Sequence, residues 1–131
     1  MTAHVLTVVV PKRLWFSSNR MPRVHAHRQN IVRDLQQLAA EQAMIQRLKP
    51  LTGPYYADWV ISYPKGVRTD KGDPANAHPV CKALLDGLVP RWLQDDGPLH
   101  VVRESYARGP NLNRPADHEI QLTLTPKEVT E

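Results

Sequence analysis

Five aspartates fall between residues 70 and 96: Asp70, Asp73, Asp86, Asp95 and Asp96. The chain around them is basic, with 17 Lys plus Arg against 13 Asp plus Glu and a net charge of +4. Acid gathered in a cationic chain suggests a bound cation before it suggests a surface. Two bare carboxylates about 4 Å apart repel by about 1 kcal/mol in water and about 4 kcal/mol at an effective dielectric near 20, so a converged group calls for a counter-ion. Oxygen-only ligation favours Mg²⁺ or Mn²⁺, which take a few carboxylates and keep other positions for water and phosphate oxygens. Such an ion activates water and stabilises the leaving oxygen in phosphodiester hydrolysis. Scattered, solvated acids are the alternative, and spacing alone leaves both readings open.

Lys82 stands one helical turn before Asp86, where it either neutralises charge developing on a phosphate or simply pairs with that acid. Other chemistries find less support. His25 and His27 lie about 200° apart on a helix, a poor arrangement for one metal. Cys81 is the single cysteine, which excludes an internal disulfide and a Cys-rich zinc site. It falls on an apolar stripe, where an inert thiol is the default. No Ser-His-Asp or Cys-His arrangement stands out, and no Walker or Rossmann glycine loop is present.

The elements that must position these groups follow from periodicity. At 131 residues the chain reads as one domain, 1–131, with a single core. Val5 to Val10 is β-branched and stops at Pro11, which predicts an interior strand. A polar loop from Trp15 to Pro22 follows, with Trp15 and Phe16 as core anchors or, alternatively, base-stacking groups. From Val24 to Leu48, Ile31, Leu35, Leu38 and Ile45 predict an amphipathic helix. Its start is basic: Arg20, Arg23, His25, His27, Arg28 and Arg33. Cations there oppose the macrodipole at a cost of a few tenths of a kcal/mol each, which suits either an anionic ligand or a solvated basic face.

Tyr55 to Pro64 predicts a strand with Trp59, Ile61 and Tyr63 on one side. A second helix begins at Pro79, with Asn76 or His78 as its cap. Its buried stripe is Ala77, Cys81, Leu84 and Leu88, and Lys82 and Asp86 share the opposite face. Gly87 costs about 1 kcal/mol relative to alanine inside a helix, so a close packing contact is expected there. His100–Tyr106 and Ile120–Thr125 alternate, and are expected to pair as an antiparallel hairpin across the polar loop 109–117. The order βαβαββ predicts an α+β fold: a four-stranded mixed sheet with two helices packed on it. No apolar run approaches the roughly 20 residues of a membrane span and no signal-peptide pattern opens the chain, so a soluble, reduced, cytoplasmic protein is expected.

The run Asp73-Pro-Ala-Asn76, then Pro79, Lys82, Asp86-Gly87-Leu88 and Asp95-Asp96, resembles the RusA-like family of Holliday junction resolvases. The versions carried by phages of actinobacteria are the most similar. The loop Trp15 to Arg20 before a basic helix, and the element order, are similar too, so the resemblance spans nearly the whole chain. It implies a Mg²⁺- or Mn²⁺-dependent homodimeric endodeoxyribonuclease that binds four-way DNA junctions and places paired nicks, in the host cytoplasm if phage-encoded. Carried over by position, Asp73, Lys82, Asp86 and Asp96 are the catalytic group, and Asp73, Asp86, Asp95, Asp96 and Asp70 the candidate metal ligands. Asn19, Arg20, Arg23, His27, Arg28, Lys65, Arg68, Lys71 and Asn76 would contact DNA. One departure stands out: the family's second acid is Ala75 here, and three extra residues precede Lys82, so Asp70 or Asp86 is the candidate replacement. A non-catalytic branched-DNA-binding protein with a decayed acid site is the runner-up, and an interaction domain with an incidental basic face is the third reading.

Overall fold

The computed structural model describes residues 3–68, 71–95, 97 and 99–127. Strand β1 (His4–Val10) leads through a single 3-10 turn (Lys12–Leu14) and a polar loop to helix α1 (His25–Ile45). Strand β2 (Tyr55–Ser62) follows, then a 3-10 turn (Pro74–Ala77) running straight into helix α2 (His78–Asp86). Strands β3 (Val101–Arg108) and β4 (His118–Pro126) complete the chain. This is the expected α+β layer, a four-stranded mixed sheet with two helices, in the order βαβαββ.

The strand order β1-β4-β2-β3 departs from the expected hairpin. β3 runs parallel to β2, joined to it across α2, as a parallel pair requires a crossover connection. β4 instead inserts between β1 and β2, antiparallel to both. The 109–117 loop therefore passes the end of β2 rather than closing a turn, and backbone bonds hold it there: Gly109 N–H to the Ile61 carbonyl at 2.8 Å, Leu112 N–H to the Tyr63 carbonyl at 2.8 Å and Lys65 N–H to the Arg114 carbonyl at 2.9 Å. β1, expected to be interior, is an edge strand, and Val5 and Val9 are exposed on the sheet's uncovered face. Its β-branched run reflects sheet propensity rather than burial on both faces.

The core lies between the sheet and the helices. β1 supplies Leu6, Val8 and Val10; β2 supplies Tyr55, Ala57, Trp59 and Ile61; β4 supplies Ile120, Leu122 and Leu124. On α1 the buried stripe is Ile31, Leu35, Ala39 and Ala43, rotated from the expected one: Leu38 is partly buried and Ile45 is 71% exposed. A Cβ added to Gly87, which caps the C-terminus of α2, would lie 2.3 Å from the Gln36 carbonyl oxygen of α1. The expected contact at Gly87 is thus a helix–helix crossing with no room for a methyl group. On α2, Ala77, Cys81, Leu84 and Leu88 are buried as the pattern required. Neither Asn76 nor His78 caps that helix: Ala77 occupies the N-cap without a side-chain bond, because the preceding 3-10 turn delivers the chain already coiled.

Candidate functional site

Asp73 sits where an extended segment becomes a 3-10 turn. Its carboxylate accepts the Ala75 N–H at 3.0 Å and so caps the turn that carries Asn76. Pro74 fits the first position of that turn, where no N–H is needed. The polar loop between β1 and α1 docks here through the Ser18 N–H, which donates to the Asn76 carbonyl at 3.0 Å. Between the two segments lies a cavity of about 300 Å³, bordered by Asn19, Arg20, Lys71, Asp73 and Asn76 over a wall of Trp15 and Tyr63. One carboxylate, two amides and two cations thus share one polar concavity.

The cavity's floor is rigidly built. Gly72 has φ +74, and a Cβ added there would meet the Tyr63 ring at 2.8 Å. Arg108, at the end of β3, lies over the same ring, 4.8 Å from its centroid. Its guanidinium donates to the carbonyls of Arg68 at 3.3 Å, Lys71 at 3.2 Å and Gly109 at 3.2 Å, and to Asn111 Oδ1 at 2.8 Å. Asn111 returns a bond from Nδ2 to the Val67 carbonyl at 2.6 Å. Arg108 therefore clasps both ends of the loop leading into Asp73. Burial pushes the Tyr63 hydroxyl up to about 12; Arg108 pulls against that rise and Asp73 adds to it. Behind the ring, Trp15 stacks on His118 with centroids 3.6 Å apart and planes 4° apart. Burial lowers His118 to about 4, against a smaller opposing effect of Asp117, so this stack holds a neutral imidazole.

A second concavity of about 530 Å³ lies between α1 and α2, bordered by Phe16, Arg28, Val32, Arg33, Pro79 and Lys82, among others. Lys82 Nζ donates to Asp86 Oδ1 at 2.8 Å, so of the two roles open to Lys82 the pairing with that acid is present here. Asp86 thus holds a lysine rather than joining Asp73. Beneath α2, Tyr106 donates a short hydrogen bond to Glu104. The Cys81 thiol is buried and raised well above its usual range, first by desolvation and then by Glu104, which fits the inert thiol expected.

Asp95 lies elsewhere. Its carbonyl accepts the Tyr55 hydroxyl at 2.9 Å, and its carboxylate accepts the Gly97 N–H at 3.1 Å and faces His100 Nδ1 at 3.7 Å. Tyr55 and Ser62 bound β2, whose ends stand about 23 Å apart at the usual strand rise. Asp95 belongs to the Tyr55 end and Asp73 to the Tyr63 end, because the chain re-enters the sheet beside Tyr55. Asp70 and Asp96 lie outside the described residues. Among the described residues no group of three His, Cys, Asp or Glu side chains could hold a metal ion.

Of the predicted DNA contacts, Asn19, Arg20, Lys71 and Asn76 converge on the acid cavity and Arg28 on the adjoining groove. Arg23 and His27 are exposed at the start of α1, and Lys65 and Arg68 are exposed on the loop after β2. Sequence reasoning missed Arg108, Asn111, Tyr63 and His118 as parts of this region. Nothing local marks them, since each acts on a segment distant in the chain. Among the described residues no helix is long and apolar enough to cross a membrane.

No protein-family model and no curated protein matches the chain. Among solved structures, it is similar to two crystal structures of the periplasmic domain of Helicobacter pylori MotB. These align over 95% of this chain and 76% and 78% of theirs, at 16% and 15% identity and TM-scores of 0.41 and 0.39. The hydrogenase maturation protein HypE in complex with ATP aligns over 98% of this chain and 31% of its own, at 10% identity and a TM-score of 0.32. Likenesses this distant carry no argument about what the present chain does.

Proposed function

We propose that this chain is a metal-dependent endodeoxyribonuclease that cuts four-way or otherwise branched DNA, acting as a homodimer. The observation that carries the reading is the acid cavity, where Asp73 and Asn76 meet Asn19, Arg20 and Lys71 from two separate segments. Cations and amides bind phosphate oxygens and orient a backbone without reading sequence. A carboxylate among them adds nothing to phosphate binding itself, since it repels the ligand; beyond capping its own turn, Asp73 suits the role of a group acting on the reacting phosphate. The RusA-like pattern on Asp73, Asn76, Lys82, Asp86 and Asp96 supports the same reading. Mg²⁺ or Mn²⁺ is the proposed cofactor, with Asp70 as the acid that would join Asp73 from the same chain and Asp96 entering only together with its neighbour Asp95. Asp95 stands at the far end of β2, so its participation requires a second copy that brings that end to the Asp73 cavity. A two-fold dimer does this twice, and so matches two equivalent strands of a junction.

The runner-up is a branched-DNA-binding protein without catalysis. It is favoured by Ala75 and by the Asp86–Lys82 pair, which engages one proposed acid with a cation. One experiment separates the two. Labelled four-way junction and linear duplex are incubated with the protein, with and without Mg²⁺ or Mn²⁺, and scored for both shift and nicking. Asp73→Asn and Asp96→Asn are expected to abolish nicking and keep the shift. Wild-type cutting by both variants sinks the assignment, and a shift without nicking in any divalent metal selects the runner-up.

A further inference from the structure

The acid cavity and the groove between α1 and α2 share a wall. Trp15, Asn19 and Arg20 face the cavity while Phe16 and Met21, in the same loop, face the groove. Asn76 and Ala77 face the cavity, whereas His78, Pro79 and Lys82, the residues that follow, face the groove. A strand whose phosphate lies at Asp73 therefore has this groove as its next stop. The groove's floor is apolar, built from Phe16, Met21, Val32 and Pro79, and Gln29 and Gln36 add amides at its side. Its cations are Arg28, Arg33 and Lys82, the last held by Asp86 beside the groove, and among the described residues that line it there is no carboxylate. Arg28 bonds His25 Nδ1 at 3.0 Å and Arg33 bonds Asn30 Oδ1 at 2.9 Å, each a side chain of its own helix rather than a carboxylate.

We infer that the groove holds an unpaired nucleotide of the DNA strand engaged at Asp73, its base on the apolar floor and its phosphates on Arg28 and Arg33. Paired bases present only edges and backbone to a protein, whereas an extruded base offers a face that an apolar pocket can desolvate. At about 530 Å³ the groove falls within the usual range of small-ligand pockets. Charge complementarity decides the occupant: an apolar peptide would leave the cations unmatched, and an anionic strand meets them. The inference rests on the proposed nuclease reading and names the strand feature that reading leaves open, an unpaired nucleotide at the branch.

The test measures binding of a fluorescein-labelled oligothymidylate and a blunt duplex to the full chain. The variants are Arg28→Glu combined with Arg33→Glu, and Val32→Trp, which fills the groove without a charge change. Each variant is expected to weaken oligothymidylate binding at least about tenfold, from lost phosphate contacts in the first and lost base contacts in the second. Val32→Trp is expected to leave duplex binding within about twofold. The charge pair is solvent-facing, so it tests the groove even where Val32→Trp fails to fold. Three results overturn the assignment: a wild type that does not bind oligothymidylate, variants that bind it like wild type, or a Val32→Trp protein that changes only its mass in solution. The last means that the groove seats a second copy. A wild type that binds oligothymidylate through the groove yet cuts no junction sinks the nuclease reading and leaves the groove assignment standing. Cutting by wild type with unchanged binding by both groove variants does the reverse.

Discussion

At one end of β2, Tyr63 packs its ring on Gly72 beneath Arg108, and four hydrogen bonds from that arginine tie the segment before Gly72 to the loop after β3. At the other end, Tyr55 gives its hydroxyl to the Asp95 carbonyl, and the Gly53 N–H donates to Gln94 Oε1 at 3.2 Å. Both ends carry an aspartate from the same acidic stretch. Among the described residues, the Tyr63 end surrounds its aspartate with amides, cations and a shaped concavity. A carboxylate becomes a candidate site through the groups that its neighbours bring from elsewhere in the chain, whereas the Asp95 carboxylate accepts the Gly97 N–H of its own turn and faces His100.

The largest test of that contrast is Arg108→Ala. It removes a guanidinium holding the loop before Asp73 and is expected to cost about 2–3 kcal/mol, the upper range for hydrogen bonds from a charged group. Urea melts should show the loss, and limited proteolysis should open first between residues 64 and 72. Arg108→Lys keeps the charge but loses the planar fork that spans several acceptors, and should recover less than half. Unchanged proteolysis there would mean that the loop holds itself. Gly72→Ala comes next, at about 1–3 kcal/mol, because it places a methyl group into the Tyr63 ring at a positive φ. Its thermal midpoint should drop while Gly53→Ala, which meets nothing within 4 Å, loses only the strain of its own φ of +79.

Tyr55→Phe probes the opposite end and should cost about 0.5–1.5 kcal/mol, one net hydrogen bond, leaving junction nicking unaltered if the site lies at the Tyr63 end alone. A proportional loss of nicking would bring the Asp95 end into the reaction. Acid should also separate the ends. His118, at the Tyr63 end, is held near 4 in the folded protein and returns to about 6.5 when unfolded. The unfolded chain therefore takes up the proton first, and stability falls as pH drops from about 6.5 to 4. Thermal melts across that window should show a steeper loss in wild type than in His118→Phe. Smallest of all is the Lys82–Asp86 pair: as a partly exposed i,i+4 bridge it contributes about 0.3–0.5 kcal/mol and fades with salt. A larger effect of Lys82→Met on nicking than on melting would mark Lys82 as acting at the phosphate.

Periodicity and breakers are local, and what they reported was local. The six main elements, the buried face of α2, the meeting of Lys82 with Asp86 and the tight contact at Gly87 were all legible from spacing of side chains along a helix or strand. The α1 stripe was legible only in part, since the small Ala39 and Ala43 are buried where the larger Leu38 is only partly so. Strand partners were not legible. Closing the nine-residue loop 109–117 around β2 costs scarcely more than closing a tight hairpin, because loop entropy grows only with the logarithm of length. The choice therefore fell to burial: β4, whose core face carries Ile120, Leu122 and Leu124, took the central place between β1 and β2. That choice sent β3 to the edge, brought Arg108 over Tyr63 and put Asp95 a strand's length from Asp73. The residue types of the site were thus written in the chain, and which of them meet was decided only by packing, because no local pattern encodes a contact between segments that fold together from opposite ends of a sheet.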